Sequence, residues 1–213
     1  MIEHKKGILV IVSGFSGAGK GTVVHAMMDK FPGRYKLSVS ATTREPRSGD
    51  KDGVNYFFVT REKFEKMIAD GELLEYAEYV GNYYGTPRRF VEEQMDAGYN
   101  VILEIEQQGA FKVKKAFPDA VLIFLTPPSI DELERRLRGR HSESEETIQK
   151  RLAQAAIEAE NIELYDYLVI NDDIDGCAVS MDRLIESVQK KTRYNQERID
   201  DLRAHLQHYR KDN

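Results

Sequence analysis

The chain has 213 residues, 41% of them apolar and 31% charged, with a formal net charge of −5. That composition belongs to one large globular domain, or one core with an inserted smaller lobe, and it excludes disordered and fibrous chains. The acidic balance argues against a protein that coats nucleic acid, and the single cysteine, Cys177, excludes an internal disulfide or a cysteine cage for a metal.

In chain order, Lys5-Lys6 followed by the apolar residues 8–12 mimics a secretory leader, but the run is shorter than the roughly seven apolar residues a leader needs. It reads instead as a strand over 7–13, apolar throughout and so buried on both faces of a parallel sheet. No run approaches the length of a membrane span. A soluble protein of a reducing, cytoplasmic compartment is expected.

A helix is predicted over 22–31, where Val24, Met28 and Phe31 recur at helical spacing and Pro32-Gly33 stops the pattern. The stretch 42–99 breaks the rhythm with aromatics and turn signals. It holds a helix over 60–70 closed by Gly71, then a hairpin of 72–80 with 82–86. Buried strands return at 101–104 and 120–125, with a helix over 107–117 between them. A helix over 129–138 opens with a capping box, Ser129 and Glu132, and carries an apolar stripe of Ile130, Leu133 and Leu137. A longer helix is predicted over 146–164, a last strand over 167–171, and charged helix over 182–209. Strand and helix alternate, which implies a parallel sheet covered by helices.

Gly14-Phe15-Ser16-Gly17-Ala18-Gly19-Lys20-Gly21-Thr22 joins the first strand to the first helix and fits G-x-x-x-x-G-K, a phosphate loop. Glycines let the backbone turn its N–H groups onto an anion, the helix N-terminus adds about half a positive charge, and Lys20 supplies a mobile cation. The motif normally continues with Ser or Thr. Here Gly21 stands in that place and Thr22 follows, so magnesium is expected mainly on nucleotide phosphates and water.

Further motifs select among the uses of such a loop. Arg44 and Arg47 lie three apart after a strand. Then come Gly53-Val54-Asn55-Tyr56, Glu72-Leu73-Leu74-Glu75, Gly81-Asn82-Tyr83-Tyr84-Gly85-Thr86, Leu103-Glu104-Ile105-Glu106 and Gly139-Arg140. In this order, from about 7 to 173, the chain strongly resembles guanylate kinases, which move the γ-phosphoryl of ATP onto GMP. The resemblance implies a P-loop three-layer αβα core with a parallel sheet over 1–41 and 100–213. It also implies an inserted mixed α/β lobe for GMP over 42–99 and a short lid near 138–147.

The resemblance assigns roles to particular residues. Arg44 and Arg47, with the hydroxyls of Tyr56 and Tyr84, would hold the GMP phosphate, since an arginine fork matches phosphate oxygens in pairs. Ser40, Glu75, Thr86 and Glu104 would read guanine, whose adjacent N1–H and N2–H₂ donors suit a carboxylate. Thr86, just before Pro87, reads equally as a helix N-cap. Residues 14–22, Arg140 and Asn171 would bind ATP. Lys20, Arg44, Arg140 and Arg151 would surround the transferring phosphoryl, while Arg135, Arg136 and Arg138 read as solvated helix charges. Mg2+ is implied as the cofactor, with Thr22 and Glu106 as candidate contacts; Glu106 stands where the family usually has aspartate. The implied partners are GMP and ATP, with dGMP a further candidate acceptor, no nucleic acid and no membrane; the protein would be a monomer or homodimer. Ile199, Leu202, Leu206 and Tyr209 form a stripe expected to pack on the core. Two other readings compete: a guanylate-kinase-like binding module without chemistry, which the intact phosphate loop disfavours, and a kinase for a phosphorylated ribose, which the guanine-reading set disfavours.

Overall fold

The computed structural model describes residues 6–79, 81–139 and 144–210. Among them run, in order, β1 (Leu9–Gly14), α1 (Lys20–Lys30), β2 (Tyr35–Leu37), β3 (Ala41–Thr42), β4 (Phe57–Phe58), α2 (Arg61–Ala69), β5 (Leu73–Tyr79), β6 (Asn82–Pro87), α3 (Arg88–Asp96), β7 (Asn100–Glu104), α4 (Gln107–Ala116), β8 (Val121–Thr126), α5 (Ile130–Arg138), α6 (Glu145–Ala159), β9 (Tyr167–Ile170), α7 (Ile174–Gln189) and α8 (Gln196–Leu206).

The unbroken apolar runs become the inner strands of a five-stranded parallel sheet, ordered β2-β7-β1-β8-β9. Side chains alternate across a strand, so each run feeds two cores. Leu9, Ile11, Leu103, Leu122 and Phe124 face one side, against Val91 and Met95 of α3, Val113 of α4, Leu133 and Leu137 of α5 and Ile148 of α6. Val10, Val12, Ile102, Ile123 and Leu125 face the other, against Val23 and Met27 of α1 and Met181 and Ile185 of α7. The result is the expected three-layer αβα core. Parallel strands aligned this way put all their carboxyl ends on one edge, where such sheets bind ligands.

The inserted stretch builds a separate four-stranded mixed sheet, β4-β3-β6-β5, with β5 and β6 forming the expected hairpin. Phe64 of α2 is fully buried and stacks on Tyr83 of β6 at 5.1 Å, which fixes that helix to the hairpin.

Buried polar groups tie the edge of the large sheet to α7. Asp182 is 4% exposed and accepts from the Tyr35 hydroxyl at 2.7 Å and from Arg34 at 3.0 Å. Burial, and then the bond to Asp182, pushes the Tyr35 phenol above its ordinary range. Asp182→Ala leaves that hydroxyl buried and unpaired, at a cost of about 1–3 kcal/mol. Thermal unfolding is expected to fall by about 2–4 °C per kcal/mol for a chain of this size.

Several sequence expectations need correction. The helix expected over 146–164 ends at Ala159, and a 3-10 turn at Ile162–Leu164 follows. The C-terminal stretch is two helices, α7 and α8, separated by a 3-10 turn at Thr192–Tyr194. The stripe on α8 does not pack on the core: Leu202, Leu206 and Tyr209 are all exposed, because α8 lies beyond the last helix that covers the sheet. Ile130 is exposed too, leaving Leu133 and Leu137 to anchor α5. No described helix is long and apolar enough to cross a membrane.

Candidate active site

The loop after β1 is shaped by close contacts as much as by torsion. A Cβ on Gly14 would lie 2.0 Å from the Leu125 carbonyl oxygen, so only glycine lets β1 run this near β8. Gly19 has φ 90°, the left-handed region that glycine enters without strain, and it is the N-cap of α1. No side chain caps this helix end, and no acidic residue sits in its first turn. The N–H groups that begin α1 therefore face outward as an anion seat. Lys20 lies across the loop, donating to the carbonyl oxygens of Gly14 at 2.7 Å and Phe15 at 3.3 Å.

Three side chains brace this loop from other elements. Arg151 of α6 donates to the Ser16 hydroxyl. Asn171, 2% exposed at the end of β9, donates its amide to the Ala18 carbonyl at 2.7 Å. Its Oδ1 is buried with no hydrogen-bond partner among the described residues. Arg136 donates to the carbonyls of Asn171 at 2.9 Å and Ala18 at 3.4 Å.

Arg136 corrects the reading of that residue as a solvated charge. Sequence pattern marks three arginines on one helix and cannot say which one turns inward. Glu132 does part of the selecting: its N–H is capped by Ser129, but its carboxylate binds Arg135 and Arg136 instead of returning to the helix start. Those two cations, Arg135 first, hold its carboxyl down at about 2.

Beside the loop opens a polar cleft of about 150 Å³, walled by residues that include Ser38, Ser40, Asn55, Tyr56, Thr86 and Glu104. Four of the expected GMP residues therefore share one cleft. Three others reach it through these. Glu75 accepts from the Thr86 hydroxyl at 2.7 Å. Tyr84 packs on Tyr56 at 5.9 Å, and the Arg44 guanidinium lies 5.3 Å over the Tyr56 ring. Arg47 is exposed at the rim. Burial raises the Glu75 carboxyl above its usual range, against the Thr86 hydrogen bond, which favours the ionised form.

Thr86 is not a helix cap. Pro87 holds the N-cap position of α3, and the Thr86 hydroxyl turns away to Glu75. Two further wall residues, Ser38 and Asn55, were not anticipated. The Ser38 hydroxyl is buried without a partner among the described residues, and no spacing pattern singles out a serine in an irregular segment.

Arg44 is held in place. Asp50 accepts from its guanidinium at 2.9 Å and from the Arg47 backbone N–H at 2.8 Å, and both side chains of the pair are mostly covered. The Arg47 N–H, and then Arg44, keep the Asp50 carboxyl below its ordinary value. Glu106 is exposed at the N-cap of α4, and Thr22 is exposed on the first turn of α1. Arg140, expected in the lid, lies outside the described residues, as do 141–143. Cys177 is buried, and burial pushes its thiol up to about 11, in keeping with an inert core residue.

Comparison with known proteins agrees with this geometry. Residues 6–188 match the family described as guanylate kinase. The crystal structure of a guanylate kinase from Anaplasma phagocytophilum is similar at 36% identity and a TM-score of 0.66, over 88% of this chain and 89% of that one. An uncharacterized protein from Eubacterium ventriosum is 15% identical, with a TM-score of 0.47 over 85% of this chain and 99% of that one, and bears on nothing further. The phosphate loop, the polar cleft and the family match converge: the chain belongs to the guanylate kinase family and is an ATP:GMP phosphotransferase.

Proposed function

We propose that the protein moves the γ-phosphoryl of ATP onto GMP to give ADP and GDP, by positioning and charge, without a general base. The observation that carries this reading is Glu75, a part-buried carboxylate backed by Thr86 at a polar cleft beside the phosphate loop. A carboxylate there accepts from both N1–H and N2–H₂ of guanine and repels the N1 lone pair of adenine.

The GMP phosphate is largely a dianion near pH 7, its second pKa being about 6. One of its oxygens attacks the γ-phosphorus. The bond from that phosphorus to the β–γ bridging oxygen breaks, and the electron pair leaves with ADP. No proton has to move first. The developing charge is spread over the phosphoryl oxygens, so positioned cations carry the catalysis. Lys20 and Arg151 approach from the ATP side, and Arg44 and Arg47 hold the acceptor phosphate with Tyr56 and Tyr84, within an acceptor lobe over 42–99. Arg140 is assigned to the same task from its sequence position alone. The bare Oδ1 of Asn171 suits the exocyclic amine of adenine.

Bound Mg2+ would neutralise phosphate charge during transfer. The oxygen donors near the loop, Thr22, Glu104 and Glu106, suit a hard cation that takes one or two protein oxygens and keeps its phosphates and water. No described group of three or more His, Cys, Asp or Glu could hold a metal ion.

Asp50 is a positioning residue in this scheme. Asp50→Asn is expected to raise KM for GMP about tenfold with a smaller change in kcat, the loss of one charge-assisted hydrogen bond. Asp50→Glu should recover part of it in steady-state kinetics.

Calorimetric titration of GMP, IMP and AMP tests the reading. IMP lacks the 2-amino donor and should bind about ten- to a hundredfold more weakly than GMP. AMP binding as tightly as GMP would contradict it.

A further inference from the structure

Two apolar patches of this chain lie open to solvent, and their borders carry opposite charge. The first is on α8, which begins beyond residue 188, where the family match ends. Ile199, Leu202, Leu206 and Tyr209 recur at spacings of three, four and three, the seam of a helix that pairs with another surface. Leu202, Leu206 and Tyr209 are 53%, 58% and 72% exposed. Arg198, Arg203 and Arg210 each adjoin a seam residue in sequence and border the stripe with positive charge. Two such seams face to face would set arginine against arginine, so a second α8 does not suit the first.

The second patch is at the edge of the large sheet. β9 is an outer strand, bonded to β8 on one side. Leu168 and Ile170 lie two apart on it, hence on one face, and each is 55% exposed. Leu164, on the 3-10 turn that leads into the strand, is 59% exposed. The surrounding chain is acidic: residues 152–182 hold eight Asp or Glu and no Lys, Arg or His. Glu160, Glu163 and Asp172 are exposed and make no ion pair among the described residues. Both patches are exposed, so neither covers the other within one chain.

We propose that the two patches cover each other between two copies of this chain. The α8 seam of each copy lies on the β9 edge of the other, and a two-fold axis makes the exchange reciprocal. Leu202, Leu206 and Tyr209 meet Leu164, Leu168 and Ile170, while the arginines beside the seam meet Glu160, Glu163 and Asp172. The patches offer roughly 600 Å² of apolar surface per chain, so a reciprocal pair comes near the about 1,600 Å² of a stable interface once the charged borders are counted. The proposal does not depend on the reading of the nucleotide cleft.

Sedimentation velocity of the full chain tests it. The unsubstituted protein is expected to form a dimer. Leu206→Asp and Leu168→Asp should each raise the dimer dissociation constant at least about 30-fold, the loss of an anchor at the centre of an interface. Both positions are exposed, and thermal unfolding reports whether each variant is folded. Leu164→Asp, on the turn, replaces Leu168→Asp if the strand does not tolerate it. A chain carrying Leu206→Asp, mixed with one carrying Leu168→Asp, keeps one intact pair of patches and should form a heterodimer at least about fivefold tighter than either variant with itself. A protein still monomeric at about 100 μM, or a dimer that neither substitution weakens, would overturn the proposal. So would a dimer that only Leu206→Asp weakens, mixed variants that pair no better than each alone, or open-ended assembly beyond the dimer.

Discussion

Lys20→Met is expected to lower kcat by at least about 10²–10³-fold while the fold survives. The side chain lies across the phosphate loop, donating to the carbonyls of Gly14 and Phe15, and is not part of the apolar core, so its removal opens no cavity there. Its value is in the reaction. Charge develops on the transferring phosphoryl in a site where preorganised cations act at low dielectric, and removal of one such donor elsewhere costs this much. The surroundings sharpen the effect. Glu158 lies near enough to feel both Lys20 and Glu106, so the substitution removes the cation that offsets this carboxylate. Burial, the larger influence, raises the Glu158 carboxyl, while Lys20 opposes it. Single-turnover kinetics with saturating ATP and GMP, beside thermal unfolding, check the claim. A kcat within threefold of the unsubstituted protein would remove Lys20 from the catalytic set.

Glu75→Gln is expected to lower kcat/KM for GMP by about 10²–10³-fold, the loss of two hydrogen bonds to a charged acceptor at about 1.5–2 kcal/mol each. Activity with AMP should hold or rise, since an amide can donate to the adenine N1. The effect on the protein alone should run the other way. Burial raises the Glu75 carboxyl, so the ionised form is penalised in the folded state; that penalty is present near neutral pH and relieved as pH falls through the raised value. A neutral amide removes it, and Oε1 can still accept from Thr86. The melting temperature near pH 7 should therefore be unchanged or higher while activity collapses, as when a strained site trades stability for function. GMP affinity in the unsubstituted protein should weaken with acid already above the usual carboxylate range. A Glu75→Gln protein that keeps its GMP over AMP preference would break the base-reading assignment.

Much of this was legible in the sequence because the signals are local. The phosphate loop is nine consecutive residues between a strand and a helix, and the buried strands announce themselves as unbroken apolar runs. Long-range pairing was not legible. Thr86-Pro87 follows helix-start logic, yet a hydrogen bond to Glu75, eleven residues away, decides where the hydroxyl goes. Arg136 and Arg138 look alike in sequence, and only the packing of α5 turns one onto the loop and leaves the other exposed with Glu134 and Glu145. The strands β3 and β4 are two residues each, too short for a period to register. The helix break after Gln189 carries neither glycine nor proline. It is closed by Asn195, whose amide donates to the Gln189 and Lys191 carbonyls, a contact that no pattern marks. Gly21 shows in the sequence as a departure from the motif, whereas its closeness to the Glu104 carboxylate, on a strand far along the chain, shows only in the structure.

The most direct test of the central claim is ADP release from ATP and Mg2+ with GMP, dGMP, AMP, CMP, UMP or no acceptor. Turnover that depends on GMP, alone or with dGMP, and stays near background with the other acceptors is the expected result. Folded protein that binds ATP yet releases no ADP with GMP, or turns over AMP as readily, would contradict the account.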